Sequence, residues 1–512
     1  MTRARDTSKL VTAEGAEKLG IGGGRTQADK NAEFVSVKDF GAVGDNTTDD
    51  TAAISAALDY VLSFDRPPKL HVPPGLYKVT RVLPSITKPL TIEGDNPRAS
   101  MFMFSGSASS FKIAGVGNRA ADVKVRNLGI NGAAMTNGYA VEIDFAQDIV
   151  FENVLIADPY NGVYIRQAGV IKFNDCLIDK VRGPYGVLAY GESVARNGEN
   201  DQIDILAFHN TVIQGVYVPG VTTSVAELLV LDGRVHTVQI NGLRLLSAKR
   251  GLVTKNTPGV AINFCPRFIT GDALEIESMV NECADFQYCV DFWVDGFFAA
   301  GSDSADGVLL GANVSNWNVD KGSISSNWLA GVNIGGAKDV TITSLLVYNN
   351  ARAGVNSRSG IAIGAGSGTI DIRGGLAGKA TWLPAYTENQ KYGIDLNAAY
   401  GGAITIDAVD VRGNSTKGIY TAGTSAAIGS SVQKCAGFNP TGASLHAVGA
   451  SPYSYTAGLA QEAVTLYGGT GVVVTVDGIA LTNTTPASFV LAPRKTAVIS
   501  YVTAPTMAIN GM

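Results

Sequence analysis

Charge is scarce in this chain. Asp, Glu, Lys and Arg together make up 17% of 512 residues, with a formal net charge of -5 at pH 7. No window carries the basic patch that a phosphate backbone demands, which argues against nucleic acid as a partner. Cysteine is rare as well. Cys176, Cys265, Cys283, Cys289 and Cys435 are an odd number at irregular spacing, so neither a disulfide framework nor a zinc site is expected, and no metal or other cofactor. They read as small buried hydrophobes. No apolar run approaches the roughly 18 residues of a membrane span. The opening Met1-Thr-Arg-Ala-Arg-Asp lacks the apolar core of a secretion signal, so assembly in a reducing cytoplasm is expected.

Glycine is what the chain has instead, 60 residues of it. Between residues 150 and 425 a Gly-aliphatic step recurs at the head of short β-rich segments: Gly162-Val163, Gly186-Val187, Gly215-Val216, Gly251-Leu252, Gly307-Val308, Gly331-Val332, Gly354-Val355, Gly393-Ile394 and Gly418-Ile419. The shortest spacings cluster near two dozen residues, the period of a solenoid coil; the longer ones imply double coils or excursions. In segments such as Ile149–Ile156 and Asp339–Val347 aliphatics alternate with polar residues, so one set faces in and the other out. A column of such coils exposes a long lateral sheet surface that suits an extended polymer.

The start of this region is distinctive. Phe34-Val-Ser-Val runs into a turn with Gly41 and Gly44, then Thr48, Asp49 and Asp50 precede a helical run with apolar Ala53, Ile54, Ala57, Leu58, Val61 and Leu62, and His71-Val-Pro-Pro-Gly-Leu-Tyr77 follows. The acids suit N-caps and the helix dipole, and a helix near 49–62 would cover the open end of the stack. This module resembles the opening of pectate-lyase-like right-handed parallel β-helices. The expected fold is therefore all-β: a β-helix over 34–425, a short polar tether over 1–33, a linker over 426–448 and a small β-sandwich over 449–512. The last is read from Ser451-Pro-Tyr-Ser-Tyr-Thr456 and the β-branched runs that follow, which lie beyond the periodicity.

Tether, β-helix and terminal β-domain in that order resemble bacteriophage tailspike proteins. The resemblance implies a homotrimer on the virion, attached through its N-terminus to the phage tail, baseplate or another tail protein. It also implies a host cell-surface polysaccharide as partner: capsule, exopolysaccharide or O-antigen.

Residues 271–306 concentrate acids. In Gly271-Asp-Ala-Leu-Glu-Ile-Glu277 a strand would turn Glu275 and Glu277 outward and Leu274 and Ile276 inward; in Val290-Asp-Phe-Trp-Val-Asp295 it would turn Asp291, Trp293 and Asp295 outward. Two neighbouring carboxyl groups are what glycoside hydrolysis uses, one as acid and one as base or nucleophile. The Gly-Asp-Ala-Leu-Glu segment also resembles one in polysaccharide-degrading phage spikes. Asp272 and Glu275 are the first catalytic candidates, with Glu277, Asp291 and Asp295 behind them. Trp293, Trp317 and Trp328 are candidates for stacking on sugar rings; burial in the core is the competing role for each. A lyase would instead need a base beside a uronate, for which His209 and His236, with Tyr190, Arg196, Arg234 and Arg244, are the available residues. A non-catalytic adhesin on the same fold is the further alternative, and a cell-wall or pectin-modifying enzyme a third, disfavoured by the lack of a signal.

Overall fold

Inward-facing aliphatic and aromatic side chains stack in columns, and those columns define the architecture. The computed structural model describes residues 20–22, 25–26 and 33–511, apart from 107–110, 193, 217–223, 384–387, 422–425, 428–429 and 439–442. Most of the segment 1–33 lies outside the described residues. The chain divides into two compact units, Met1–Glu275 and Ile276–Met512, and the division falls inside the segment expected to be one β-helix.

In the first unit, parallel pairing repeats coil upon coil along three ladders. One aligns Leu70, Ile92, Val125, Phe151, Phe173, Phe208 and Ile240. A second aligns Phe102, Ile130, Ile156, Ile178, Ile213 and Leu245. The third aligns Phe111, Val141, Val163, Val187, Leu229 and Leu252. All are buried, each removal from water stabilising by roughly 1.5–3 kcal/mol. Phe151, Phe173 and Phe208 stack face to face at 5.1 and 5.4 Å. At the start of the first ladder, Phe34–Ser36 pairs with Lys69–Val72, and the helix Thr51–Ser63 buries Ile54, Ala57, Leu58 and Val61. Its N-cap residue Asp50 makes no side-chain cap bond. Asp50 instead accepts from the Val43 and Gly44 amides at 2.7 and 3.1 Å, tying the glycine turn to the helix, while Asp49 accepts from the Thr51 amide.

The second unit continues the same logic. Val294, Val319, Ile342, Ile372, Ile406 and Val432 form one column, and Val308, Val332, Ile361, Ile394 and Ile419 another. Seven of the nine Gly-aliphatic steps therefore occupy equivalent rungs. Two do not: Gly215 ends the strand Ile203–Gly215, and Gly354 sits in a turn, its rung being taken by Gly360-Ile361.

Proximity explains the glycines. A Cβ on Gly331 would lie 2.9 Å from the Gly360 carbonyl oxygen, on Gly360 2.9 Å from that of Gly393, and on Gly393 2.8 Å from that of Gly418. The same Cβ atoms would strike a buried amide ladder. Asn327 Nδ2 donates to Asn350 Oδ1 (2.9 Å), Asn350 Nδ2 to Gln390 Oε1 (3.0 Å) and Gln390 Nε2 to Asn414 Oδ1 (3.1 Å). The ladder is closed at both ends: Asn327 Oδ1 accepts from the Ser302 amide, and Asn414 Nδ2 donates to the Ala377 and Val411 carbonyls. Every polar atom in it is thereby satisfied, which a buried amide requires.

Beyond the coils, two four-stranded antiparallel sheets share one apolar cluster that includes Val464, Leu466, Val474, Ile499 and Met507. The strand Ser444–His446, within the stretch read as a linker, pairs with the last strand Thr506–Gly511. The cysteines are free, four of them buried and Cys435 half-buried; burial pushes the Cys176 thiol up to about 12 and Cys265 to about 11.

Gly331→Ala should destabilise the protein by about 1–3 kcal/mol, the usual cost of overpacking. Gly354→Ala should be near neutral, because nothing lies within 4 Å of its Cβ position. Urea unfolding of the two variants beside the parent checks the pair.

Candidate functional site

Within the strand Ala284–Ser302 the expected alternation holds over Phe292–Asp295, while Val290 and Asp291 before it are both half-buried. Phe292 and Val294 are buried, while Trp293 is 39% exposed and Asp295 is exposed. The next coil supplies their neighbours, because Trp293 pairs in register with Asn318 and Asp295 with Asp320. Further coils extend both lines: Asn318 to Thr341, Asp371 and Thr405, and Asp320 to Thr343, Arg373 and Asp407. With Ser431 and Gln433 on a sixth coil, the second unit carries an outer stripe of one indole, acids, amides and hydroxyls. It is roughly 24 Å long at the ~4.8 Å spacing of neighbouring strands.

Within the stripe, Asn316 Nδ2 donates to Asp291 Oδ1 at 2.7 Å and Asn318 Nδ2 to Asn316 Oδ1 at 2.8 Å. Lys321 Nζ stands 3.2 Å from an oxygen of Asp295 and 3.2 Å from one of Asp320, and those two carboxylates raise its pKa. Asn316, Asn318, Asp320 and Lys321 were not among the sequence candidates. The signal was available: adding one coil of 25 residues to Asp291, Trp293 and Asp295 lands on Asn316, Asn318 and Asp320.

Other candidates fare differently. Trp317 is wholly buried, stacked on Phe292 at 5.5 Å and edge-on to Phe286 and Phe297. Its expected role in gripping a sugar from outside is therefore corrected: register sets it opposite Phe292, an inward position. Trp328, 37% exposed, occupies the corner after Val308–Ser325 rather than the stripe. On the strand Arg267–Met279, Leu274 and Ile276 are buried, and Glu275 and Glu277 half-buried. Both Glu275 oxygens are taken by an Arg244 fork, at 2.7 and 2.8 Å. Asp272 is exposed.

Asp306 closes the acid-rich stretch 271–306 but was not among the catalytic candidates. It is buried and accepts from the Ala330 amide and from Asn333 Nδ2, both at 2.8 Å. Burial pushes its carboxyl above the ordinary range, and nearby Glu282 adds to the rise. With both oxygens engaged by the next coil, it holds a turn together. Of the lyase candidates, His209 Nδ1 lies 3.2 Å from Asn241 Nδ2. Burial lowers the pKa of His236, and the guanidiniums of Arg267 and Arg234 lower it further against the opposing charge of Asp204. Arg196 forks onto Asp144, and Tyr190 donates to Glu192 at 3.0 Å.

Comparison with known proteins agrees with this architecture. Residues 34–223 match the family described as rhamnogalacturonase A/epimerase, pectate lyase-like. Over 162 residues the chain is 26% identical to the tail spike protein of Shigella phage Sf6, a stretch that covers 30% of this chain and 26% of that relative. The chain thus spans about a quarter of the length of the curated relative it matches. Tailspike protein 3 of bacteriophage CBA120 is similar in fold, with a TM-score of 0.57, 16% identity, and 86% of this chain and 69% of that one covered. So is a tailspike protein of E. coli bacteriophage HK620 solved with a hexasaccharide, at a TM-score of 0.50 and 11% identity, covering 100% of both chains. Over residues 34–223 the chain is thus similar to pectate-lyase-like proteins. In fold it is similar to the tailspikes of bacteriophages.

Two predictions follow from burial. Trp317→Ala should cost about 3–5 kcal/mol of stability, the range for an aromatic removed from a core, whereas Trp293→Ala should leave the melting temperature nearly unchanged; calorimetric melts of both distinguish them. The folded Asp306 carboxyl holds its proton more tightly than an unfolded one, so its contribution to stability is largest below the ordinary value of 3.8 and is lost as pH rises through the raised folded value. Asp306→Asn loses one of the two acceptors but also removes that pH dependence, so the melting temperature of the variant minus that of the parent should be more favourable to the variant at pH 7 than at pH 3.

Proposed function

We propose that this protein is a bacteriophage tailspike that binds host surface polysaccharide along the outer stripe of its second unit and depolymerises it by glycoside hydrolysis. The observation that carries the reading is the register of Trp293–Asn318–Thr341–Asp371 beside Asp295–Asp320–Thr343–Arg373. An exposed indole offers a flat face to sugar C–H groups, and the amides, hydroxyls and acids around it match hydroxyl-rich rings. Successive coils repeat the pattern at a spacing suited to a polymer.

Asp295 and Asp320 are the pair to which we assign the chemistry, with Asp291 in support. As register neighbours their backbones stand about 4.8 Å apart, which sets two acids side by side as glycoside hydrolysis uses them. Lys321 Nζ stands 3.2 Å from an oxygen of each, so the two carboxylates face a common point. Asp272, Glu275 and Glu277 remain secondary candidates; the Arg244 fork leaves Glu275 few free acceptor sites.

The remaining assignments rest on the likeness to tailspikes. They are a right-handed coil sense, a homotrimer on the virion assembled in the host cytoplasm, attachment to the phage tail through residues 1–33, and a terminal β-sandwich that caps the coils or joins subunits. Exposed Leu445, Ile479, Leu481 and Val502 on the terminal sheets and their loops support the last role.

Purified host polysaccharides, incubated with the protein, should gain reducing ends without the absorbance of unsaturated uronates. Asp295→Asn and Asp320→Asn should each lower turnover by about two to four orders of magnitude while retaining binding. Binding without any turnover by the parent would make the protein an adhesin; unsaturated products would make it a lyase.

A further inference from the structure

The first unit holds a second cluster, built from a different chemistry. Ile203 pairs with Val235 and Ile205 with Thr237, which sets Asp204 beside His236 on adjacent coils. Arg234 and Arg267 act on the same imidazole. Each guanidinium lies over an aromatic ring: Arg234 is 4.7 Å from the Phe264 centroid and Arg267 4.1 Å from that of Phe268. Both phenylalanines are 37% exposed. Among the described residues Arg234 has no ion-pair partner, and its Nε and the His236 Nε2 are buried without a hydrogen-bond partner. Asp204 is engaged by Gln202 Nε2 at 2.6 Å.

A half-buried guanidinium with no acid within ion-pair distance is an unusual thing to keep in a chain with so few charges. The ring beneath each guanidinium supports it from one side, and Arg234 retains donors for a planar carboxylate. The exposed rings beside the forks offer the apolar surface that a sugar ring covers. We propose that Arg234, His236 and Arg267, flanked by Phe264 and Phe268, form a subsite for the carboxylate of an acidic sugar, so that the polymer bound by this protein carries uronate or similar carboxylated residues. This rests on the glycan-binding reading above and adds to it the charge of the substrate.

The test measures binding of the full chain by titration calorimetry against oligogalacturonate, hyaluronate oligomers, neutral dextran oligomers and the host polysaccharide. At least one carboxylated probe should bind, and Arg234→Met and Arg267→Met should each weaken it by about tenfold or more, the worth of a charge-assisted pair. Arg234→Lys, which keeps the charge and loses the fork, should fall between parent and Arg234→Met, and guards against a folding defect, as do melting temperatures. Raising salt should weaken the acidic probe and spare any neutral one. If the host polysaccharide is bound with the same affinity by parent and both Met variants, or if neutral probes alone bind, the subsite is wrong while the glycan-binding reading stands. If the parent binds no saccharide at all, both fall together.

Discussion

Everything in this protein depends on how closely one coil can lie against the next. The Gly-aliphatic rungs bring the backbone of one glycine against the carbonyl of the glycine above it, and a single methyl group would hold the coils apart. That approach lets the aliphatic columns bury completely and lets the side-chain amides of the second unit reach one another. The apolar columns supply the drive, and the glycines set the distance at which it acts.

Much of the fold was legible because alternation and coil period are local signals. The step at Gly331 and the inward turn of Phe292 could be read from a dozen residues around each. The misreading at Gly354 has an identifiable cause. Asn350-Ala-Arg-Ala-Gly354 has the same Asn-to-Gly spacing as Asn327 to Gly331 and Asn414 to Gly418, but there the chain makes an additional turn before the rung at Gly360. Propensity cannot distinguish a glycine that lets coils touch from one that merely turns. Asp50 stands at the N-cap, where the sequence suggested an acid belongs, yet its side chain makes no cap bond. An acid before a helix usually caps it, and here the glycine turn at Val43 and Gly44 competes successfully for the same carboxylate.

The candidate site was legible along a strand and obscure across strands. Trp293 and Asp295 follow from alternation; Asp320 follows only once the register between coils is known. Trp317 shows the limit most clearly, since it lies in a polar-looking Asn316-Trp-Asn318 context that suggests exposure, yet register sets it against Phe292 in the core. Partners that act through charge, such as Arg244 on Glu275, lie a coil away and leave no trace in the local sequence.

The amide ladder also has a direction. Asn327, Asn350 and Gln390 each donate to the side-chain amide of a later coil, from an oxygen occupied by the Ser302 backbone at one end to Asn414, which donates to the Ala377 and Val411 carbonyls, at the other. A coil can therefore be added to or removed from this stretch only as a whole, with its own amide and its own glycine seat, or two neighbours are left facing a missing partner in the dry interior. The ladder works as a key that only a complete tooth can extend. It constrains which duplications of this chain can fold in a way the aliphatic columns do not, because a column position needs volume whereas a ladder position needs a donor and an acceptor.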